Sequence, residues 1–497
     1  VLHICITKSF IFGNTSGTEF LISGSPDMLR PWDLQININV NCERAYYIQI
    51  ADSIISAIKT GKLQSGAPLP GSRQLAAQLK LNRNTIIDAL NVLLAEGWLI
   101  SKARKGTFVA DQLPAFKLAE PQIASPPESP AKVIPDIIFN DGVPDTRIAP
   151  IPELAGAYRQ IFNRKGRWQM MGYTDSAGDH DFRNAIIQML NYKRGMRLSV
   201  EEIFVTRGSQ MAMYLTAHCI LQQGDVVAVE NPGYKPAWLA FEHAGASLLP
   251  INVDSNGIVV DELKTYLQKG KSIKALYITP HHQFPTTVTL SLTRRLELIA
   301  LSNQYGFTII EDDYDNEFHF GQGPILPVSS FENIKHFVYI GTMSKIVAPA
   351  LRIGYLATSK ELIQKVWQLR RIIDTQGDNI MEQAVLQLIN EGHIKRHLRK
   401  ATLLYKSKRD LFDRMIKEHL GEKVEFSKPE GGLAFWIRPK VNTDMISLHK
   451  RLLENGVQIL PPETFSYGEP VNGLRLGYAS LTEAQLEEGL KKIAQLL

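Results

Sequence analysis

The chain has 497 residues, of which 44% are apolar and 21% charged. That composition excludes a disordered chain, and the length argues for about three domains rather than one small module. The net charge is only +5, and the three cysteines, Cys5, Cys42 and Cys219, show neither metal-ligand spacing nor a paired framework; this excludes a zinc- or disulfide-organised fold and suits a reducing cytoplasm. The longest uncharged stretches, residues 208–224 and 275–293, are interrupted by polar residues and prolines, so neither reads as a membrane span.

The first 27 residues have no sustained period and no signal-peptide pattern. Regular sequence begins at Met28, so residues 1–27 are expected to be a non-native or disordered extension. From Tyr46 to about Thr60 apolar residues recur at threes and fours, which predicts an amphipathic helix stopped by Gly61. A short helix is predicted after Ser72 on Leu75, Ala76 and Leu79, and a third, capped by Asn82, on Ile86, Ala89, Leu90 and Leu93. Trp98–Ile100 and Gly106–Ala110 read as strands joined by a basic loop, completing a winged helix-turn-helix domain over residues 28–110.

The positive charge is concentrated there. Residues 41–110 hold nine Lys or Arg against four acids, while residues 111–497 are nearly balanced. A recognition helix offers polar side chains at its start to base edges while neighbouring cations meet phosphates. Asn82, Arg83, Asn84 and Thr85 occupy that start, Arg73 opens the preceding helix, and Lys102, Arg104, Lys105 and Gly106 form the wing. Double-stranded DNA is the partner such a surface fits; a protein interface with solvated lysines is the competing reading.

Residues 111–136 are rich in proline, alanine and serine and read as a linker. In residues 137–497, apolar runs (202–205, 226–229, 275–278, 308–311, 337–340, 354–357) alternate with helical stretches, the pattern of an α/β fold with a mostly parallel sheet. Within it, Lys345 in the run GTMSK follows a strand and precedes apolar residues, as a Schiff-base lysine requires. Asp312 follows another strand and suits the ring nitrogen of pyridoxal 5′-phosphate; Tyr314 suits its phenolic oxygen. Ser209 and Gln210 open a helix and, with Arg352, Thr342 and Ser344, suit its phosphate. Arg475 suits a substrate carboxylate, because a planar guanidinium grips one bidentately.

The segment YYIQIADSIISAIKTGKLQSGAPLPGSRQLAAQLKLNRNTIIDALNVLLAEGWLISKARKGTFVAD resembles the GntR family of regulators, which implies DNA contacts at Arg73, Arg83, Thr85 and Gly106. Gly71 and Asn82 stand where that family commonly has Ser. The runs FVTRGSQMAM, VENPGY, TPHHQFPT, IIEDDYDNEF, GTMSK, PALRIGYLA, EGGLAFW and GLRLGYA resemble the fold-type I aminotransferases. That resemblance implies Lys345 as Schiff-base lysine, Asp312 as pyridinium partner, Tyr234 as a ring-stacking residue, His282 or Gln283 beside the cofactor, and Tyr173 reaching the phosphate in a partner subunit. Thr287 departs from a common Gly and is expected to narrow the pocket. Head, linker and body in this order resemble the MocR/GabR-type regulators. The resemblance implies a homodimer with swapped heads that senses an amine or amino acid by aldimine exchange at Lys345. The alternative is an active aminotransferase with a fused DNA-binding head.

Overall fold

A computed structural model describes residues 36, 38, 39, 44–113, 135–163, 168, 171–315, 317–321, 323 and 325–497. The extension expected at residues 1–27 and most of the linker lie outside the described residues. The chain divides into two units, Val1–Glu128 and Ser129–Leu497. Among the described residues no helix is long and apolar enough to cross a membrane.

The first unit consists of helices Tyr46–Lys59, Ser72–Leu79 and Arg83–Ala95 followed by strands Leu99–Lys102 and Gly106–Val109. Its core forms where the helical periods predict, with Ile54, Leu75, Ile86 and Leu93 packed against Leu99 and Val109. Asn82 caps the third helix, its Oδ1 accepting from Asn84 N at 2.9 Å. Gly71 at the corresponding place before the second helix supplies no side-chain cap. The two strands pair antiparallel from Leu99↔Val109 to Lys102↔Gly106, the first starting one residue and ending two residues later than expected and the second ending one residue earlier. Their tight turn needs left-handed backbone at Arg104 (φ 61°) and Gly106 (φ 103°), which is why glycine suits the second position.

The second unit is built on an eight-stranded sheet in the order Ile203–Thr206, Gly354–Thr358, Phe337–Thr342, Thr308–Asp313, Ala275–Ile278, Val226–Asn231, Ser247–Asp254, Gly257–Ile258. Only Gly354–Thr358 and the short Gly257–Ile258 run antiparallel to their neighbours. Side chains alternate between faces, as the strand period demands: Phe204, Val338 and Ile340 enter one helix-covered cluster and Val205 and Tyr339 the other. Both faces are therefore buried, which explains the continuous apolar runs. Ser247–Asp254 was not among those runs; it carries Pro250 and is largely half-exposed. A second sheet of Val424–Phe426, Ala434–Pro439 and Leu474–Gly477 packs with the helices His393–Leu420 and Glu483–Leu496.

Thr287 is not among the residues that line the cleft at the strand ends, where it was expected to narrow the pocket. It sits at φ 63° in a tight loop in which its N–H donates to Gln283 O at 2.7 Å and Gln283 N–H donates to Val288 O at 2.8 Å. The left-handed conformation, disfavoured for a β-branched residue, accounts for a glycine preference here. Thr287→Gly is expected to stabilise the protein by about 1 kcal/mol, read as a higher urea midpoint; a lower midpoint would show that the threonine side chain contributes more than its backbone costs.

Candidate functional site

Parallel strands deliver the residues that follow them to one edge of the sheet, and ligand sites form there. Ser209 follows Ile203–Thr206, Tyr234 follows Val226–Asn231, Thr279 follows Ala275–Ile278, and Tyr314 follows Thr308–Asp313. Ser344 and Lys345 follow Phe337–Thr342, and Arg352 precedes the antiparallel Gly354–Thr358, whose start lies at the same edge. Together with Asp312 and Thr342 these residues line one cleft of about 110 Å³. Eight residues singled out from sequence are thus assembled: Ser209, Tyr234, Asp312, Tyr314, Thr342, Ser344, Lys345 and Arg352. Asp141, Thr279 and Phe284 line the cleft as well.

At the buried end, Asp312 Oδ2 accepts from Tyr277 Oη at 2.8 Å while Oδ1 is buried without a partner. Desolvation pushes this carboxyl up to about 7, opposed by the Tyr277 hydrogen bond and reinforced by Asp313. A cationic ring nitrogen would relieve that cost. At another end, Gly208 (φ 81°) leaves space that Arg352 uses: a Cβ on Gly208 would lie 2.6 Å from Arg352 Nη2, and one on Gly354 would lie 2.5 Å from Gly208 C. Two glycines therefore let a guanidinium and the start of helix Ser209–Ile220 converge, an arrangement suited to a phosphate. Ser344 Oγ is also buried without a partner, and Ser344 N donates to Thr342 Oγ1 at 3.1 Å. The unpartnered carboxylate and hydroxyl and the glycine cradle fit pyridoxal 5′-phosphate.

Between these ends lies Lys345, whose Nζ donates to Gly142 O at 2.7 Å and stands 3.9 Å from Asp141 Oδ1. Lys345 holds the Asp141 carboxyl below the ordinary range against desolvation, with Arg475 adding to the effect. Arg475 is buried in strand Leu474–Gly477. It donates to Asp141 O at 3.0 Å and Pro285 O at 2.8 Å and lies 4.6 Å from the Phe284 ring. Its Nη2 reaches Tyr314 Oη at 3.4 Å, and that hydroxyl donates to His282 O at 2.7 Å. Arg475 therefore borders the cleft through Asp141 and Tyr314 rather than lining it.

Three other expected residues are elsewhere. His282 turns its Nδ1 to the buried Asp315 at 2.7 Å, and Gln283 donates its Nε2 to Pro232 O and Phe284 O while its Oε1 accepts from the Thr286 hydroxyl. The Gln210 side chain donates to Pro236 O at 2.8 Å. Partners from other segments hold all three, and none lines the cleft. Tyr173 is 88% exposed and is not among the lining residues.

In the first unit, Arg73, Asn82, Arg83, Asn84, Arg104, Lys105 and Gly106 are exposed and Thr85 is half-exposed. Arg83 Nε donates to Ser72 Oγ at 3.4 Å, tying the start of the third helix to that of the second. Lys102 pairs with Asp111 at 3.5 Å and lies 5.1 Å from the Phe108 ring, bracing the wing.

Comparison with known proteins joins the two units. The description of bacterial regulatory proteins of the gntR family matches residues 46–109, and that of aminotransferase class I and II matches residues 137–493. The chain belongs to the class I and II aminotransferases and carries a GntR-family head. This is the fused architecture of the MocR-type regulators. The probable rhizopine catabolism regulatory protein MocR of Rhizobium meliloti is 26% identical, covering 90% of this chain and 92% of its own. The HTH-type transcriptional regulator TauR of Rhodobacter capsulatus is 27% identical, covering 90% and 96%. The crystal structure of an archaeal alanine:glyoxylate aminotransferase superposes with a TM-score of 0.69 at 29% identity, covering 72% of this chain and 90% of that one. The enzyme thus matches the body, whereas the regulators match head and body.

For a MocR-type chain, Asp141 was the informative omission. It lies outside any catalytic motif, and its position is set by the pairing of Ile137–Ile138 with Val457–Gln458, which sequence periodicity does not reveal. The buried carboxyls Glu230, Glu311, Asp312 and Glu382 are each pushed up to about 7 by desolvation above all. An unfolded chain ionises such groups near pH 4. Between about pH 4 and 7 the folded state therefore retains protons that the unfolded state has lost, and stability falls as pH rises. Cofactor-free protein should melt at lower temperature at about pH 7.5 than at about pH 5.5, and Asp312→Asn should flatten the slope; an unaltered slope would remove Asp312 from the set.

Proposed function

We propose that this chain is a DNA-binding transcriptional regulator whose aminotransferase-type body holds pyridoxal 5′-phosphate and responds to a primary amine or amino acid. The observation that carries the reading is the coexistence, in one chain, of a cleft lined by Ser209, Asp312, Ser344, Lys345 and Arg352 with an exposed basic winged helix. The full-length similarity to HTH-type regulators supports this over an aminotransferase with an incidental head, since the enzymes match only the body.

When bound, the cofactor supplies an aldehyde carbon that primary amines attack reversibly. Asp312 holds the ring-nitrogen proton. Arg352, the start of helix Ser209–Ile220, Ser344 and Thr342 bind the phosphate, and Tyr234 packs on the ring. Lys345 is the resident amine, and Gly142 O accepts a hydrogen bond from it when it is free. Arg475 neutralises an effector carboxylate after exchanging one of its present oxygen acceptors. In the head, Arg73, Lys105 and the wing meet phosphates while Arg83, Asn84 and Thr85 face bases. Asn82 commits Oδ1 to its cap and offers its amide nitrogen. The regulator works as a homodimer, and Tyr173 serves the partner's phosphate site. For the signal to matter, the effector-bound and effector-free bodies must favour different head arrangements.

Lys345→Ala should abolish the visible absorbance that the wild-type protein gains with pyridoxal 5′-phosphate; an unchanged spectrum would sink the Schiff-base assignment. Arg83→Ala should weaken operator binding about tenfold or more at fixed salt with the cofactor spectrum intact. Equal affinity of variant and wild type in a gel-shift titration would remove the recognition-helix assignment.

A further inference from the structure

The cleft is lined by four charged side chains, and a bound cofactor employs three of them: Arg352, Asp312 and Lys345. The fourth, Asp141, has no cofactor group to serve. It is half-exposed into the cleft, and its nearest cation is Lys345 Nζ at 3.9 Å. Its backbone is fixed from several directions. Asn140 Oδ1 accepts from Gly142 N at 2.9 Å and Val143 N at 2.8 Å, Asn140 Nδ2 donates to Ser480 Oγ at 2.9 Å, and Arg475 Nε donates to Asp141 O at 3.0 Å. Gly142, at φ 98° against Leu433, presents to Lys345 the carbonyl that accepts at 2.7 Å. A carbonyl and a carboxylate from adjacent residues thus converge on one ammonium, on a segment held rigid by side chains from distant parts of the chain.

We propose that Asp141 is the positioning residue that receives the ammonium of Lys345 when an effector amine releases it, and so sets the sensitivity of the sensor to amines in general. The inference rests on the reading of the cleft as a pyridoxal 5′-phosphate site. In the exchange, the carbon–nitrogen bond to Nζ breaks as one to the effector nitrogen forms. The effector arrives as an ammonium, and two of its protons pass to Nζ as the bonds exchange, so Lys345 leaves as an ammonium and charge and electrons balance. The product is a free lysine ammonium inside a cleft, and it needs an anion. Asp141 and Gly142 O supply the counter-charge and the acceptor without rearrangement, which favours the released state. Asp141 makes no demand on the effector's own chain, so its contribution is common to all primary amines.

The test titrates cofactor-loaded wild type, Asp141→Asn and Asp141→Glu with three amines of the same chain length: n-butylamine, 4-aminobutyrate and 1,4-diaminobutane, reading the visible absorbance. Asp141→Asn should weaken the response to all three by a similar factor, about tenfold for a half-exposed ion pair, and Asp141→Glu should restore part of it. A second readout needs no cofactor. In cofactor-free protein at fixed pH, Lys345 should be acylated faster in Asp141→Asn than in wild type, because no carboxylate then stands beside Nζ to hold it. Unchanged titrations with unchanged acylation would overturn the proposal. Loss confined to 1,4-diaminobutane would also overturn it, making Asp141 an effector contact instead. If wild type acquires no visible band with the cofactor, the reading of the cleft itself fails, which is distinguishable from either result.

Discussion

The cleft is organised around a carboxylate, Asp312, buried where water cannot solvate it. Its cost is visible in the upward shift of its pKa to about 7 and in an oxygen with no partner. Such a group is retained at the edge of a sheet only where something positive completes it. The rest of the body follows from presenting that site. Parallel strands bring successive loops to the same edge, and the antiparallel Gly354–Thr358 contributes Arg352 because its start, not its end, lies there. Tyr277, 2.8 Å away, donates to one oxygen of Asp312 and leaves the other without a partner.

What was legible in the sequence divides along physical lines. Strands buried on both faces announce themselves as apolar runs, and a lysine, an aspartate or a serine directly after such a run is carried to the strand end whatever the loop does. Lys345, Asp312 and Ser344 were readable for that reason. Asn82 was readable because capping is local. His282 and Gln283 were not: both follow a strand, but whether a polar ring faces the cleft depends on competing partners, here Asp315 and Pro232 O, from distant segments. Asp141 escaped for the complementary reason. Its segment is placed by pairing with Val457–Gln458 more than three hundred residues away, and long-range pairing leaves no local period. The three-stranded sheet that carries Arg475 was likewise visible only as motif fragments.

The head illustrates a different economy. Its core is small, and the elements that face outward are held by short-range devices: the Asn82 cap, the Arg83 to Ser72 contact and the left-handed turn at Arg104 and Gly106. These fix the starts of two helices and a wing, which are the parts that must be rigid if a few side chains are to discriminate bases. The basic bias of residues 41–110 then acts where geometry already holds the reading surface in place.

Regulation and turnover ask different things of the same cleft. An enzyme must bind its transition state better than the species on either side, and must release product. A sensor needs only two states of comparable free energy whose balance an effector can tip. A cleft that provides a prepared receptor for the lysine it displaces moves that balance toward the exchanged state without accelerating any later step. The Asn140–Asp141–Gly142 segment is such a receptor. Arg475 is tied to Asp141 O and Tyr314 Oη. Arg475 and Lys345 are thus both hydrogen-bonded to one short stretch of backbone, through Asp141 O and Gly142 O.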